Sequence, residues 1–319
     1  MRHAVRIFSG AGNTFVVLDG RDGLHPDVAE IVRLCREYGT DGLMILSCPE
    51  VRVSCQNQER EEQKWLKMRT SSQKSARDAH PIDFAMEFYN PDGSGGMMCG
   101  NGGRCIVAFA ETLGITPADG KVYHFLAPDG LHTAEILAGP GEPNAAHLPD
   151  RKWTVRLGMK SVDKVEAVKG GYFLNTGTRH FVKFVEDVDK VDILKDGPEL
   201  RHDPVFAPEG TNVNFVQPMP DGSLKIRTFE KGVEGETLAC GTGITASAIA
   251  YAHAASGKAP AAFKSVDAAG TRPDAASLAH TVRLHARIAD LEVSFRVCPE
   301  GFENVYLTGP VEELEPALK

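Results

Sequence analysis

Two short stretches of the chain each set a cysteine against a glycine turn. The first is Cys99-Gly100-Asn101-Gly102-Gly103-Arg104-Cys105, running into Ile106-Val107-Ala108-Phe109-Ala110. The second is Cys240-Gly241-Thr242-Gly243, running into Ile244-Thr245-Ala246-Ser247-Ala248-Ile249-Ala250. In both, a thiol precedes a glycine turn and an apolar run of helical length, so each cysteine is expected at the mouth of a helix. The first backbone N–H groups of a helix have no partner within it, and the helix dipole favours a thiolate and attracts a carboxylate there. One such thiol would be a reactive cysteine; two read as a pair of opposed bases. Bases of one kind on either side of a carbon can take a proton from one face and return another to the opposite face, which inverts the centre. The carbon acid that suits this is an α-amino acid, whose carboxylate gains charge as the proton leaves and can be stabilised by helix N-termini. Racemisation or epimerisation without a metal or cofactor is therefore expected. A pyridoxal phosphate site would need a Schiff-base lysine and a phosphate cradle, and no lysine stands in such a setting.

Each cysteine has a plainer reading. A lone Cys-Gly is usually a small buried hydrophobe, and Cys105, inside the first apolar run, is read that way. A metal site from Cys99, Cys105 and Cys240 lacks histidines at useful spacing, and a thiol–disulfide relay would call for a CxxC pair. What sets Cys99 and Cys240 apart is that their surroundings repeat. Phe88-Tyr89-Asn90-Pro91-Asp92-Gly93 precedes the first thiol turn, and Thr228-Phe229-Glu230-Lys231-Gly232 precedes the second. Further upstream, Ser9 to Val17, around Gly12-Asn13, is echoed by Asn175 to Lys183, around Gly177-Thr178. Both halves run glycine turn, strand, polar corner, thiol turn, buried helix. The repeat is far too long for a solenoid and implies two similar domains.

The chain has 319 residues, enough for two cores, and its 42% hydrophobic and 24% charged composition is that of a globular protein. A net charge of -8 argues against nucleic acid or an anionic membrane as partner and favours a small molecule. Met1 to Gly10 carries no apolar signal-type run, and no segment approaches the roughly 20 apolar residues of a membrane span. Seven scattered cysteines without CxxC pairs suit a reducing compartment, so the cytoplasm is expected.

The elements that must position the thiols follow from periodicity. Val5 to Phe8 and Thr14 to Asp19 alternate as strands about a glycine turn, with Asn13 at its exit, where its amide could face a ligand or simply shape the turn. Pro26 to Tyr38 has helical spacing stopped by Gly39, with Cys35 in its core face. Leu43 to Leu46 is a buried strand, and Ile82 to Tyr89 is a strand delivering Asn90. The polar stretch Ser54 to Ala79 is read as an exposed hairpin insertion, and Ser256 to Ala279 has no clear pattern. Helices are expected from about Gly102 to Leu113 and from Thr242 to about Ala255. Gly139-Pro140-Gly141-Glu142-Pro143 is a candidate domain boundary.

These motifs, together with Gly10 to Phe15, Asn90 to Ser94, Pro208 to Phe215 and Glu230 to Gly243, resemble in order and over nearly the whole chain those of the diaminopimelate epimerases. The resemblance implies an α+β fold of two pseudo-symmetric domains, each a mixed-strand barrel around a central helix. The domains would be residues 1–138, joined by the tail 302–319, and residues 139–301. It implies interconversion of LL- and meso-diaminopimelate without cofactor, in lysine and peptidoglycan precursor synthesis, and a homodimer. Cys99 and Cys240 take the family's two base positions. Asn13, Asn90, Gly100, Asn101, Asn212, Glu230, Lys231, Gly241 and Thr242 take its substrate contacts, with Thr178 and His180 beside them. There are departures: Thr178-Arg179-His180 replaces Asn-Pro-His or Ser-Pro-His, and Glu230-Lys231 replaces Glu-Arg. Gly42 stands where some members have glutamine. Lysine holds a carboxylate as a point charge where arginine would fork onto it, so a racemase of another amino acid, such as histidine, is the alternative.

Overall fold

The computed structural model describes residues 4–49, 81–95, 98–140, 151–257 and 279–317. The expected hairpin insertion at 54–79 and nearly all of the unpatterned 256–279 stretch lie outside them. The chain divides into two compact units, Met1–Leu157 with Val311–Lys319, and Gly158–Pro310. This division falls later than the Gly/Pro-rich connection suggested. The strand after that connection, β7, pairs back onto β6 (Ala134 opposite Leu157) and so belongs to the first unit. The tail likewise enters the first unit at Val311 rather than Phe302, because Phe302 is paired with Val297 in the second.

The first unit contains β1 (Arg6–Gly10), β2 (Asn13–Asp19), β3 (Gly42–Ser47), β4 (Phe84–Tyr89), β5 (Tyr123–Ala127), β6 (Gly130–Ala138) and β7 (Lys152–Gly158). Consecutive strands pair antiparallel, parallel, antiparallel, parallel, antiparallel and antiparallel. The last four residues of β16 (Gly301–Leu314) pair with β1, and β16 also neighbours β7, so eight strands close on themselves. The second unit repeats the plan with β8 (Val165–Val168), β9 (Gly171–Asn175), β10 (Arg179–Phe184), β11 (Asn212–Pro218), β12 (Leu224–Glu230), β14 (Ala279–His285), β15 (Asp290–Cys298) and the first part of β16. From β9 onward the pairings run in the same order of senses. A short β13 (Gly235–Thr237) is added on β12, and a bridge between Val162 and Phe302 links the two ends of the series. The mixed eight-strand barrel with few helices is thus present twice.

Each barrel surrounds a helix that is covered on nearly every side. Helix α2 (Gly100–Thr112) is buried from Gly100 through Ala110, and α4 (Gly241–Gly257) is almost as uniformly covered, against β9, β10, β11, β12, β14 and β15. Such helices need no polar face because strands enclose them, and each buried Ile, Val or Phe contributes on the order of 1.5–3 kcal/mol. The outer helices cover parallel crossovers. Helix α1 (Val28–Tyr38), between β2 and β3, is capped by the Asp27 carboxylate accepting from the Glu30 N–H and ends at left-handed Gly39. It buries Ile31, Leu34 and Cys35 on Val16, Leu18, Leu43 and Ile45. Helix α3 (Ile193–Arg201), between β10 and β11, was not legible, since Gly197-Pro198 reads as a break. Gly197 is there because a Cβ would lie 2.6 Å from the Phe229 ring.

Candidate active site

The residues marked by their chemistry collect at the start of each central helix. Cys99 is the N-cap residue of α2, in extended backbone (φ -101°, ψ 124°), and is half-buried; Cys240 immediately precedes α4 and is 8% exposed. The glycines after them allow close approach. A Cβ on Gly102 would sit 2.9 Å from Met44 Sδ, and one on Gly243 would sit 2.4 Å from Asn214 Oδ1. Met44 and Asn214 are equivalent positions, two residues into β3 and β11.

In the first unit the β1–β2 turn meets the first turn of α2. Asn101 Nδ2 donates to Asn13 Oδ1 at 2.6 Å, and Arg104 Nη2 donates to Asn101 Oδ1 at 2.8 Å. Arg104 is fully buried, and burial pulls its pKa down, opposed by attraction to anionic sulfur at Cys105 and Cys99. Cys105 is packing, as expected, and burial drives its thiol far up, so it is not an available base. Asn90 is exposed at the end of β4 and is tied into its own turn, its Nδ2 donating to Ser94 Oγ at 3.0 Å and its N–H to Ser94 O at 2.7 Å. The structure joins Asn13, Gly100 and Asn101, and keeps the Asn90 amide engaged elsewhere.

In the second unit the network is hydroxyl and imidazole. His180 Nε2 lies 2.9 Å from both Thr178 Oγ1 and Thr242 Oγ1; the two hydroxyls are 3.1 Å apart, and Thr242 Oγ1 is 3.4 Å from Cys240 Sγ. The protons can be placed by elimination. Asn214 Nδ2 donates to the Phe181 carbonyl at 3.2 Å, so this amide end also donates to His180 Nδ1 at 3.1 Å. The neutral imidazole then carries its proton on Nε2, toward the two threonine hydroxyls, and Thr242 links this network to the Cys240 sulfur. Burial pushes His180 down to about 3, which keeps it neutral. Thr176 Oγ1 also holds Thr242 O at 2.9 Å. Glu230, at the end of β12, is raised by burial, with Thr237 and Cys240 acting in the opposite direction.

Asn212 is fully engaged within the protein. Its Oδ1 accepts from the Lys231 N–H at 2.8 Å and its Nδ2 donates to Arg179 O at 2.9 Å, so it staples the ends of β10 and β12. The Lys231 side chain is exposed. Asn214, Thr176 and Arg104 had no assigned part in the sequence reading. Asn214 was detectable as the second amide on one face of a buried strand; Arg104 as a charge within an otherwise apolar helix. Among the described residues no three His, Cys, Asp or Glu gather as metal ligands, and no helix is long and apolar enough to cross a membrane.

The family model for diaminopimelate epimerase matches residues 172–274. A diaminopimelate epimerase of Flavobacterium psychrophilum is 33% identical over 310 residues, covering 96% of this chain and 95% of the relative. The chain belongs to the diaminopimelate epimerase family. Members from Chlorobaculum tepidum and Aquifex aeolicus are each 38% identical, over 76% and 75% of this chain and 80% and 78% of their own length. Family membership makes the protein an isomerase. The fold extends beyond the family. A phenazine biosynthesis protein of the PhzF family from Bacillus anthracis aligns with TM-score 0.63 at 10% identity, covering 100% of this chain and 99% of the other. A predicted epimerase from Pseudomonas aeruginosa aligns at 0.55 and 11%, with the same two coverages.

Proposed function

We propose that the protein interconverts LL- and meso-diaminopimelate without a cofactor, with Cys99 and Cys240 as the two bases. The observation that carries this reading is the repeat at the level of atoms. Each unit sets one cysteine at the start of its barrel's central helix, ahead of the same glycine-permitted close approach. One sulfur, as thiolate, takes the α-proton; the other, as thiol, delivers its proton to the opposite face of the same carbon, and the pair exchanges roles for the reverse reaction. Charge that builds on the substrate carboxylate is stabilised by the first backbone N–H groups and the dipoles of helices α2 and α4. Asn13, Asn90, Asn212, Glu230, Lys231, Thr178 and His180 complete the surroundings. Of these, His180 and Thr178 support Thr242, and Asn212 acts by fixing the backbone at Lys231. The substrate is a free amino acid, the setting the cytoplasmic supply of lysine and peptidoglycan precursors, and the assembly a homodimer.

The test is α-hydrogen exchange in deuterated water over a panel of amino acids. Exchange and inversion at diaminopimelate, lost in both Cys99→Ala and Cys240→Ala with circular dichroism unchanged, supports the reading. Exchange confined to another amino acid, such as histidine, would replace the substrate and keep the chemistry. Near-normal turnover in either variant would end the two-base account.

A further inference from the structure

The central helix of the first unit contains a charge that packing does not explain. Arg104 is the largest fully buried side chain, at 0% exposure. Among the described residues it meets no carboxylate. Its Nη2 donates to Asn101 Oδ1 (2.8 Å), its Nη1 makes a long contact to Gly100 O (3.4 Å), and its Nε has no partner. A guanidinium stays protonated in proteins, and a buried charge without an opposite partner costs several kcal/mol. Met or Leu would fill the same space without that cost. The cation is therefore retained for something near it that is negative in the working protein.

Two neighbours qualify. Cys99 lies five residues before Arg104, at the N-cap of the same helix, and the guanidinium is electrostatically coupled to its sulfur. Cys105, also coupled, is held neutral by burial. The second neighbour is whatever anion the Asn13 amide faces. Because Arg104 can only donate, Asn101 must turn its oxygen inward and its nitrogen to Asn13 Oδ1. The Asn13 amide nitrogen is then the donor end of this chain of amides. In the second unit, Thr245 takes the place of Arg104. Its hydroxyl donates to Gly241 O at 2.9 Å, so a neutral group holds the carbonyl that Arg104 approaches in the first unit.

We propose that Arg104 is a positioning residue that acts on the first unit alone, holding the Cys99 sulfur as thiolate and turning the Asn101–Asn13 amides so that a donor faces the substrate. This deepens the two-base reading and rests on it for the role of Cys99. The charge assignment can be tested without turnover.

The experiment is the pH profile of iodoacetamide alkylation, read separately at Cys99 and Cys240 by peptide mass spectrometry, in the substrate-free full chain. In Arg104→Met the Cys99 profile moves to higher pH, with roughly tenfold slower alkylation at pH 7. Cys240 in the same sample does not move, and Arg104→Lys, which keeps the charge, restores most of the Cys99 rate. For activity, Arg104→Met lowers kcat more than it raises KM. An unmoved Cys99 profile in folded Arg104→Met, or an equal change at both cysteines, overturns the proposal. If Arg104→Met does not fold, the wild type decides. The Arg104 guanidinium nitrogen resonances should titrate with the Cys99 alkylation midpoint and stop doing so once Cys99 is capped; resonances that ignore Cys99 overturn it. A protein inactive on diaminopimelate would refute the functional reading while leaving these outcomes readable.

Discussion

The two helix starts share a frame and differ in its electrostatics. Phe15 pairs with Gly42 across β2–β3 as His180 pairs with Asn212 across β10–β11. Asn101 meets Asn13 where Thr242 meets Thr178, and Arg104 reaches back to Gly100 O where Thr245 reaches Gly241 O. On that common frame, one thiol stands by a buried guanidinium and two amides. The other stands by a neutral imidazole and two hydroxyls. The backbone places the two cysteines alike at the helix starts; the side chains at equivalent positions around them differ in charge. A reaction in which one sulfur starts as thiolate and the other as thiol makes use of such a difference, whereas two identical sites would have no built-in order of protonation.

The largest test of this comparison removes one thiol at a time. Cys99→Ala and Cys240→Ala should each lower turnover by at least ~10²–10⁴-fold, with unchanged circular dichroism. A variant that retains activity would make the two halves unequal in function as well as in charge.

The next distinguishes a rigid neighbour from a soft one. Gly243→Ala drives a methyl to 2.4 Å from Asn214 Oδ1, which Thr228 and the His180 network hold in place. Its equivalent, Gly102→Ala, meets the Met44 thioether at 2.9 Å, which can rotate. Denaturant unfolding should show a loss of about 1–3 kcal/mol for Gly243→Ala and clearly less for Gly102→Ala. Equal losses would mean that the hydroxyl–imidazole network is no stiffer than its apolar counterpart.

His180 gives a pH dependence that Phe15, its equivalent in the first unit, cannot. Because burial lowers its pKa to about 3 from 6.5, the unfolded chain takes up the proton first as pH falls. Stability present at pH 7 is then lost progressively from about 6.5 down to about 3, amounting to about 2 kcal/mol by pH 5. His180→Phe, which copies Phe15 of the first half, should remove that part of the slope, read as unfolding free energy against pH. An unchanged slope would place the acid sensitivity elsewhere. The smallest effect is at the strand ends, where Glu230-Lys231 of the second unit takes the place of Asn90 in the first. Lys231→Ala should raise KM for diaminopimelate about tenfold, without changing Tm, because the side chain is exposed. An equal rise for a monocarboxylate amino acid would make Lys231 a surface charge only.

How much of this was legible in the sequence depended on how local the signal was. The two Cys-Gly-x-Gly turns, the apolar helices behind them and the order of the repeat are contiguous patterns, and both helix starts lie within two residues of expectation. The Gly/Pro-rich stretch reads locally as a domain boundary, whereas the strands before and after it, β6 and β7, pair with each other. Helix α3 was missed because Pro198 breaks its pattern, and β8 because it is four residues with no buried position. The roles of Asn214 and His180 depend on the parallel β10–β11 register, which no local pattern carries. Arg104 stood in plain view within its motif, but only its burial turns it from a surface cation into an unexplained charge.

If two different bases serve one carbon, isotope transfer from solvent will show it. LL-diaminopimelate should be converted in deuterated water to an early time point, and both product and remaining substrate analysed at the reacting carbon. The account predicts that the first meso product carries deuterium there, delivered by the second, solvent-exchanged thiol, while unconverted substrate retains its hydrogen. Product that carries the substrate's own hydrogen would show a single group taking and returning the same proton, and would contradict the account.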